Sequence, residues 1–431
     1  MAGRRVIYGR PAGQAGLLST LEDILKLDYI LNNILDTVNM RTWFLSQIRK
    51  KRQTGGLNFQ FPVRYGVSEG QGNAPENADL PEPGFGLYET PKGNVKFQYA
   101  SFYITGPAMA ATNKAAYVDS MKEAIKNTRD GFTLETYQQT WGGADAVIAK
   151  AKTKTTITSG ALTLPIKDPY GLDYDTAQDR TTLMPIFRIG MRLSLYRGDT
   201  YIGTATIGGI TAGGDLKLTG TWESGITFVD VGDTLHRGTS GTMNNRNRNY
   251  LGLTDIMKAE GTYLGIDRAD KPFWQANLVD RGSDPFNDDL VQATFDLSEI
   301  AGDGMASPNL LLSNHRLRRQ YVKTLVDQKR FASPQTTKLE GGYTYLDFNG
   351  QPWMVDKLCP PERLLYLHMP DFCWVMMHEI GWLNEDHGNM LQRVSRKDAY
   401  EAFLKTYREI VCEKPANQAM LYGVGTDATS A

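Results

Sequence analysis

The chain has 431 residues, 41% hydrophobic and 22% charged, with 47 basic against 48 acidic side chains. Such proportions belong to a soluble globular protein with length for about three domain-sized units. A net charge of −1 supplies no overall field for nucleic acid or an anionic membrane, which argues against a dedicated nucleic-acid binder.

The opening MAGRRVIYGRPAG has arginines but no apolar h-region after them, so the chain is expected to be cytosolic when made. Ser19 and Glu22 form a capping box, and Leu21, Ile24, Leu25, Ile30, Leu31, Ile34 and Val38 follow at helical spacing, the pattern of an amphipathic arm. A second short helix through Trp43, Phe44 and Ile48 is expected to end in the basic run Arg49, Lys50, Lys51 and Arg52. That run reads either as a solvated helix end, as a contact for phosphates, or as a patch that receives an acidic segment of another copy.

Leu57, Phe59, Phe61, Val63, Tyr65 and Val67 then alternate with polar or small residues, the period of a strand with one apolar face, and Val95, Phe97 and Tyr99 resume it. Pro62 confines the strand to an edge or a bulge. The intervening Gly- and Pro-rich stretch carries Glu69, Glu76, Asp79, Glu82 and Glu89 against Lys92. Such a ribbon is either a surface hairpin on its own core or one whose third layer lies outside its own domain. A two-stranded hairpin alone is marginal and so long a connection is uncommon without a job, which favours the second reading.

From Asn113 to about Gln139 the sequence predicts a long helix with Tyr117, Met121, Ile125 and Phe132 on one stripe and Gly131 as a candidate bend. Between Lys152 and about Gly241, Thr- and Gly-rich alternating runs with turn signals predict an inserted all-β sandwich or barrel, left through a polar linker Gly241 to Asn249. Leu310 to Leu312 reads as a buried strand, Asn314 as the cap of a helix carrying Leu317, Tyr321 and Leu325, and Asn349-Gly350 as a hairpin turn. A helix capped by Ser395 is expected over about Arg396 to Leu404, with closing strands near Tyr407 to Val411 and Ala419 to Val424.

No catalytic fingerprint appears. The cluster His368, Asp371, Cys373, His378, Glu379, Asp386 and His387 lacks a second histidine four places after His378, as a helical zinc protease motif requires, and no phosphate loop or GxSxG is present. Neither a metal nor a cofactor is expected. Cys359, Cys373 and Cys412 are few, odd in number and scattered, so they read as small buried apolar residues and not as a disulfide framework.

The order of these parts, with PNLLLSNHRLRRQYVKTL and then YLDFNGQPWMVDKLCPP late in the chain, resembles the major capsid proteins of tailed bacteriophages, the Hong Kong 97-type fold. The resemblance implies an α+β architecture: an N-terminal arm over 1–54, an extended E-loop over 55–106, and a peripheral domain with spine helix over 107–151. It further implies an inserted β domain at 152–241, an axial domain over 249–390, and a return to the peripheral domain over 391–431. The implied function is structural, not enzymatic: self-assembly into hexamers and pentamers of an icosahedral virion shell, built in the host cytoplasm, around double-stranded DNA held by weak non-specific contact. The partners implied are other copies, a separate scaffolding protein, a portal and a decoration protein, with no membrane. Phe59, Phe61, Val63, Tyr65, Phe97 and Tyr99, with Glu69, Glu76, Asp79 and Glu82, would make the E-loop's inter-subunit contacts, and Arg49 to Arg52 the basic patch that receives them. The alternatives are an encapsulin-like nanocompartment shell and a soluble ligand-binding or enzymatic β-domain protein.

Overall fold

The computed structural model describes residues 43–52, 56–73, 75–76, 79, 82–105, 114–167, 186–282, 286–302, 304, 306–326, 346–356, 358–360, 362–383 and 390–424. The expected amphipathic arm, with its Ser19 capping box, lies outside them. The chain divides into two compact units. One draws on the described residues of Met1–Leu57, Val95–Gln138 and Trp374–Glu409, the other on those of Asn58–Asn94, Gln139–Cys373 and Ile410–Ala431.

The first unit is a helix on a sheet. Lys114–Trp141 is one 28-residue helix, about 40 Å long at 1.5 Å per residue, and it runs through Gly131 without interruption. Its Ile125 and Phe132 pack into a core with Phe102, Ile104, Ile380, Trp382, Ala402 and Leu404. These come from a five-stranded sheet in which Arg49–Arg52, Phe372–Trp382, Ala399–Cys412 and Gln392–Arg393 are successive neighbours and Lys96–Thr105 also pairs with Ala399–Cys412. A buried polar chain fixes the helix on this sheet: Thr136 Oγ1 donates to Gln98 Oε1 at 3.0 Å and accepts from Arg408 Nη2 at 3.3 Å.

Two expectations are corrected here. The stretch read as a helix over Arg396 to Leu404 is the start of the strand Ala399–Cys412. Its inward positions include Thr406 and Arg408, polar residues that mask the period of two, while Phe403 and Tyr407 point the other way. The basic run is likewise no helix end. The short helix stops at Gln47, and Arg49–Arg52 forms an edge strand. Charge on an edge is what keeps such a strand from indiscriminate pairing.

In the second unit, seven antiparallel strands between Ala149 and Arg237 run in the order Ile166–Lys167, Ala149–Ala151, Thr234–Arg237, Arg192–Arg197, Thr200–Ile210, Leu216–Trp222 and Ala161–Leu164. The first and last of these are one stretch of chain separated by Pro165, so the sheet closes on itself as a small barrel. Proline suits the switch point because it has no N–H for either ladder. The interior is filled: Ala149, Leu164, Leu193, Leu195, Ile207, Leu216, Val229 and Leu235 are all fully buried. Among the described residues, side chains fill the interior of this barrel.

The segment Gly241 to Asn249, expected as a polar linker, is an ordered strap. Asn244 Nδ2 donates to Tyr196 Oη at 2.8 Å and to the Gly241 carbonyl at 2.7 Å, and Arg246 lies over the Tyr196 ring at 4.6 Å.

The same unit contains a six-stranded mixed sheet in the order Asn277–Asp280, Ala419–Tyr422, Leu364–Leu367, Leu310–Ser313, Gln351–Val355 and Leu346–Phe348. Leu310–Ser313 is buried on both faces, as its apolar run implies. Asn349 and Gly350 take φ of 51° and 73°, the left-handed pair that a tight hairpin needs. Helices Asp288–Ala301 and His315–Val326 pack on one face of this sheet, burying Val291, Phe295, Leu317 and Tyr321. Asn314 Oδ1 accepts from the Arg316 N–H at 2.5 Å, as its cap role requires.

Candidate assembly surfaces

The ribbon is broken at Phe61 and Pro62 into two short ladders. Asn58–Gln60 pairs with Lys92–Asn94, and Val63–Gly66 with Leu87–Glu89. Phe59 stands opposite Gly93, where a Cβ would sit 2.4 Å from the Phe59 ring and 2.8 Å from Leu264. Only glycine permits that approach. The Lys92 N–H donates to the Leu264 carbonyl at 2.8 Å. Further out, Phe61 meets Trp274 at 6.5 Å between ring centroids, Tyr65 stacks on Phe273 at 4.5 Å and 7°, and Lys271 pairs with Glu89.

These contacts correct part of the expected interface. Phe59 is 6% exposed. Phe61 is half-buried against Trp274 of its own chain and Val63 half-buried opposite Glu89, while Tyr65 stacks on Phe273 and stays 40% exposed. The root of the ribbon therefore has its third layer within the same unit.

The distal part differs. Gly70 and Gly84 cross so closely that a Cβ on Gly70 would lie 2.6 Å from the Gly84 nitrogen. Glu69, Glu76, Asp79 and Glu82 are exposed. Phe85 is 88% exposed, Tyr88 62%, Val67 56% and Leu87 48%. Three of these apolar residues were not singled out from the sequence, although the spacing in GFGLYE, apolar among glycines, was the available signal.

Phe97 and Tyr99 do not continue the ribbon. They belong to Lys96–Thr105, on the outward face of the five-stranded sheet, where both rings lie edge-on to Tyr407 at 5.1 and 6.0 Å. Partial burial and the hydrogen bond to Tyr407 push the Tyr99 hydroxyl up to about 12. Arg49, Lys50 and Lys51 are exposed on the edge strand that also contains Arg52.

The histidine-rich region forms a structural clasp. Asp371 is 7% exposed, and its Oδ2 accepts from His368 Nδ1 at 2.9 Å, Asn417 Nδ2 at 2.7 Å and Gln418 Nε2 at 3.3 Å. His378 faces Tyr407 instead. Among the described residues, no three of His, Cys, Asp and Glu are grouped to hold a metal ion; Asp386 and His387 lie outside them. All three cysteines are buried and outside any disulfide, and burial pushes the thiols of Cys359 and Cys412 well up.

The two sheet-covering helices carry opposite charge. Asp288–Ala301 contains Asp288, Asp289, Asp296 and Glu299 and no basic residue. His315–Val326 contains Arg316, Arg318, Arg319 and Lys323 and no acidic one. Burial, and then Arg318 and Arg319, lower the pKa of His315.

No family model matches the chain, and no curated protein matches it. Solved structures similar to it include the cyanophage A-1(L) capsid asymmetric unit, at 11% identity and TM-score 0.48, covering 88% of this chain and 91% of that one. The capsid of a native GTA particle is similar at 10% identity and TM-score 0.48, covering 98% and 97%. The holo-SrpI encapsulin complex from Synechococcus elongatus PCC 7942 is similar at 8% identity and TM-score 0.45, covering 90% and 89%.

Proposed function

We propose that this chain is a shell subunit, a major capsid protein of the Hong Kong 97 type, that self-assembles into hexamers and pentamers of an icosahedral phage head around double-stranded DNA. One observation carries the reading. The ribbon root is held by its own chain, while the tip leaves Phe85 and Tyr88 88% and 62% exposed. Apolar surface on a two-stranded ribbon calls for a cover. A sister copy supplies it identically at every position of a closed ring.

On this reading the inter-subunit surface is the distal ribbon, with Val67, Phe85, Leu87 and Tyr88 as its apolar part. Glu69, Glu76, Asp79 and Glu82 meet the basic edge strand Arg49, Lys50, Lys51 and Arg52 of the neighbour, which sets register and encounter rate more than affinity. The closed barrel, an inserted module, faces outward, where it stabilises capsomers or receives a decoration protein. Scaffolding and portal proteins are separate partners. Near-zero net charge lets packaged DNA slide, since each neutralised phosphate steepens binding.

The test is electron microscopy of the concentrated protein beside a Phe85→Ser, Tyr88→Ser variant, which removes the most exposed apolar side chains of the tip. The intact chain is expected to form shells, and the variant to stay folded without forming them. Normal shells from the variant refute the role of the tip. Nuclease-protected DNA in native particles separates a phage head from a nanocompartment that encloses protein.

A further inference from the structure

The five-stranded sheet has three edge strands, and two of them are guarded. Arg49–Arg52 is four residues long and wholly basic, and Gln392–Arg393 has only two residues. Charge and shortness are ordinary means by which a sheet refuses a further strand. The third edge, Lys96–Thr105, has neither. It runs for ten residues, against about 5–6 in an ordinary strand, and its register with Ala399–Cys412 is free of bulges. It contains no proline and a single charge, Lys96 at its first position.

The neighbouring strand decides which backbone groups of this edge face outward. Tyr400 and Glu401 pair with Arg393 and Gln392 on one side and with Ile104 and Tyr103 on the other. The carbonyls of Ala399 and Phe403 turn to the first of these sides, accepting from the N–H groups of Val394 at 2.8 Å and Leu383 at 2.9 Å. Backbone direction alternates along a strand, so Ala399, Glu401, Phe403, Lys405 and Tyr407 all turn away from Lys96–Thr105. Their partners Thr105, Tyr103, Ser101, Tyr99 and Phe97 therefore aim their own N–H and C=O groups off the sheet. Those of Phe97, Tyr99 and Ser101 have no hydrogen-bond partner among the described residues. The side chains beside them are open as well, Phe97 at 47% and Tyr99 at 54%.

We infer that this edge pairs with the same edge of a second copy, antiparallel across a two-fold axis at Ser101. In that register Ser101 faces Ser101, Tyr99 faces Tyr103 and Phe97 faces Thr105, so every outward residue exchanges two hydrogen bonds with its counterpart. A strand whose other nine residues are uncharged selects neither an acidic nor a basic partner, and it is its own complement. Running antiparallel, the two Lys96 residues stand at opposite ends, about 34 Å apart at about 3.4 Å per residue. A parallel pair would set them side by side. The two-fold is isologous and leaves the aromatic faces of both sheets on one side. The inference rests on the shell reading and goes beyond the tip contact: the tip closes a ring, and this edge joins one ring to the next.

Cross-linking by diamide oxidation tests it. The native cysteines are buried, and Cα atoms of a hydrogen-bonded antiparallel pair lie about 5.5 Å apart, within disulfide reach. In the full chain, Ser101→Cys is expected to give a reducible dimer, as is Phe97→Cys combined with Thr105→Cys. Phe97→Cys alone and the exposed control Asp199→Cys are expected to give none. Ser101→Pro removes one donor from each copy at the axis and no bond of its own sheet. It is expected to melt like the parent chain but to pair about tenfold more weakly by sedimentation. Ser101→Lys, whose like charges meet across the axis, is expected to weaken pairing in the same direction without a backbone change. Parental pairing by both variants, or as much dimer from Asp199→Cys as from Ser101→Cys, overturns the inference. So does a Ser101→Cys link to Phe85→Cys in place of itself, since the ribbon tip then occupies the edge. Tyr99 and Ser101 amides protected from hydrogen exchange in the dilute monomer overturn it too, because a segment of the same chain then covers them. A parent chain that associates at no concentration refutes the shell reading along with it; shells that yield no Ser101→Cys dimer refute only this contact.

Discussion

Truncating Phe59 to alanine removes the ring that fills the space over Gly93 and touches Leu264 at the ribbon root. The ring is 6% exposed, and loss of a buried phenylalanine costs about 3–5 kcal/mol. The lower figure applies, because a two-stranded ribbon relaxes into the void more easily than a closed core. About 3 kcal/mol corresponds to roughly a hundredfold rise in the local opening equilibrium. The amide of Lys92, which donates to the Leu264 carbonyl at 2.8 Å, reports that opening directly by hydrogen exchange. In Phe59→Ala its exchange is expected to quicken by about a hundredfold, while peptides of the barrel and of the five-stranded sheet keep parental rates. Unchanged exchange at Lys92, or equal acceleration throughout the chain, refutes an intrachain anchor for the root.

Burial, and after it the charge of Arg246, hold His236 down to about 4, against the bonds it makes to backbone carbonyls. Between pH 6.5 and about 4 the unfolded chain therefore takes up a proton that the folded chain refuses, so stability falls as pH drops through this window, by about 3 kcal/mol in all. Melting of the chain against pH should show this slope, and His236→Gln, which retains a donor for the Ala146 carbonyl, should flatten it; parallel curves refute the assignment. Asp371→Ala strands the donors of His368 and Asn417, each at about 1–3 kcal/mol, while Gln418 Nε2 keeps the Lys414 carbonyl. The denaturant midpoint is expected to fall by the equivalent of about 3 kcal/mol or more with an unchanged m-value, and a loss below about 1 kcal/mol removes the clasp from the stabilising contacts.

The elements that periodicity and caps specify locally were legible: the long helix to Trp141, the helix after Asn314 and the Asn349-Gly350 hairpin all form where their residues indicate. Of Ala399–Cys412 only the end near Tyr407 to Val411 was legible, because burying Thr406 and Arg408 puts polar types on the inward face of what precedes and joins it. The cover of the ribbon root was invisible for a different reason. Leu264, Phe273 and Trp274 lie far along the chain, and a single sequence has no sign that pairs them with Phe59, Tyr65 and Phe61.

Where the barrel begins and ends, Ala149 and Leu235 are cross-strand partners and the Ile148 N–H donates to the Leu235 carbonyl at 2.9 Å. Entrance and exit thus share a single doorway about 5 Å wide. Chain added or trimmed between these two points leaves the spacing of the flanking segments unchanged, although replacing all of it also removes Tyr196, on which the strap Gly241 to Asn249 rests.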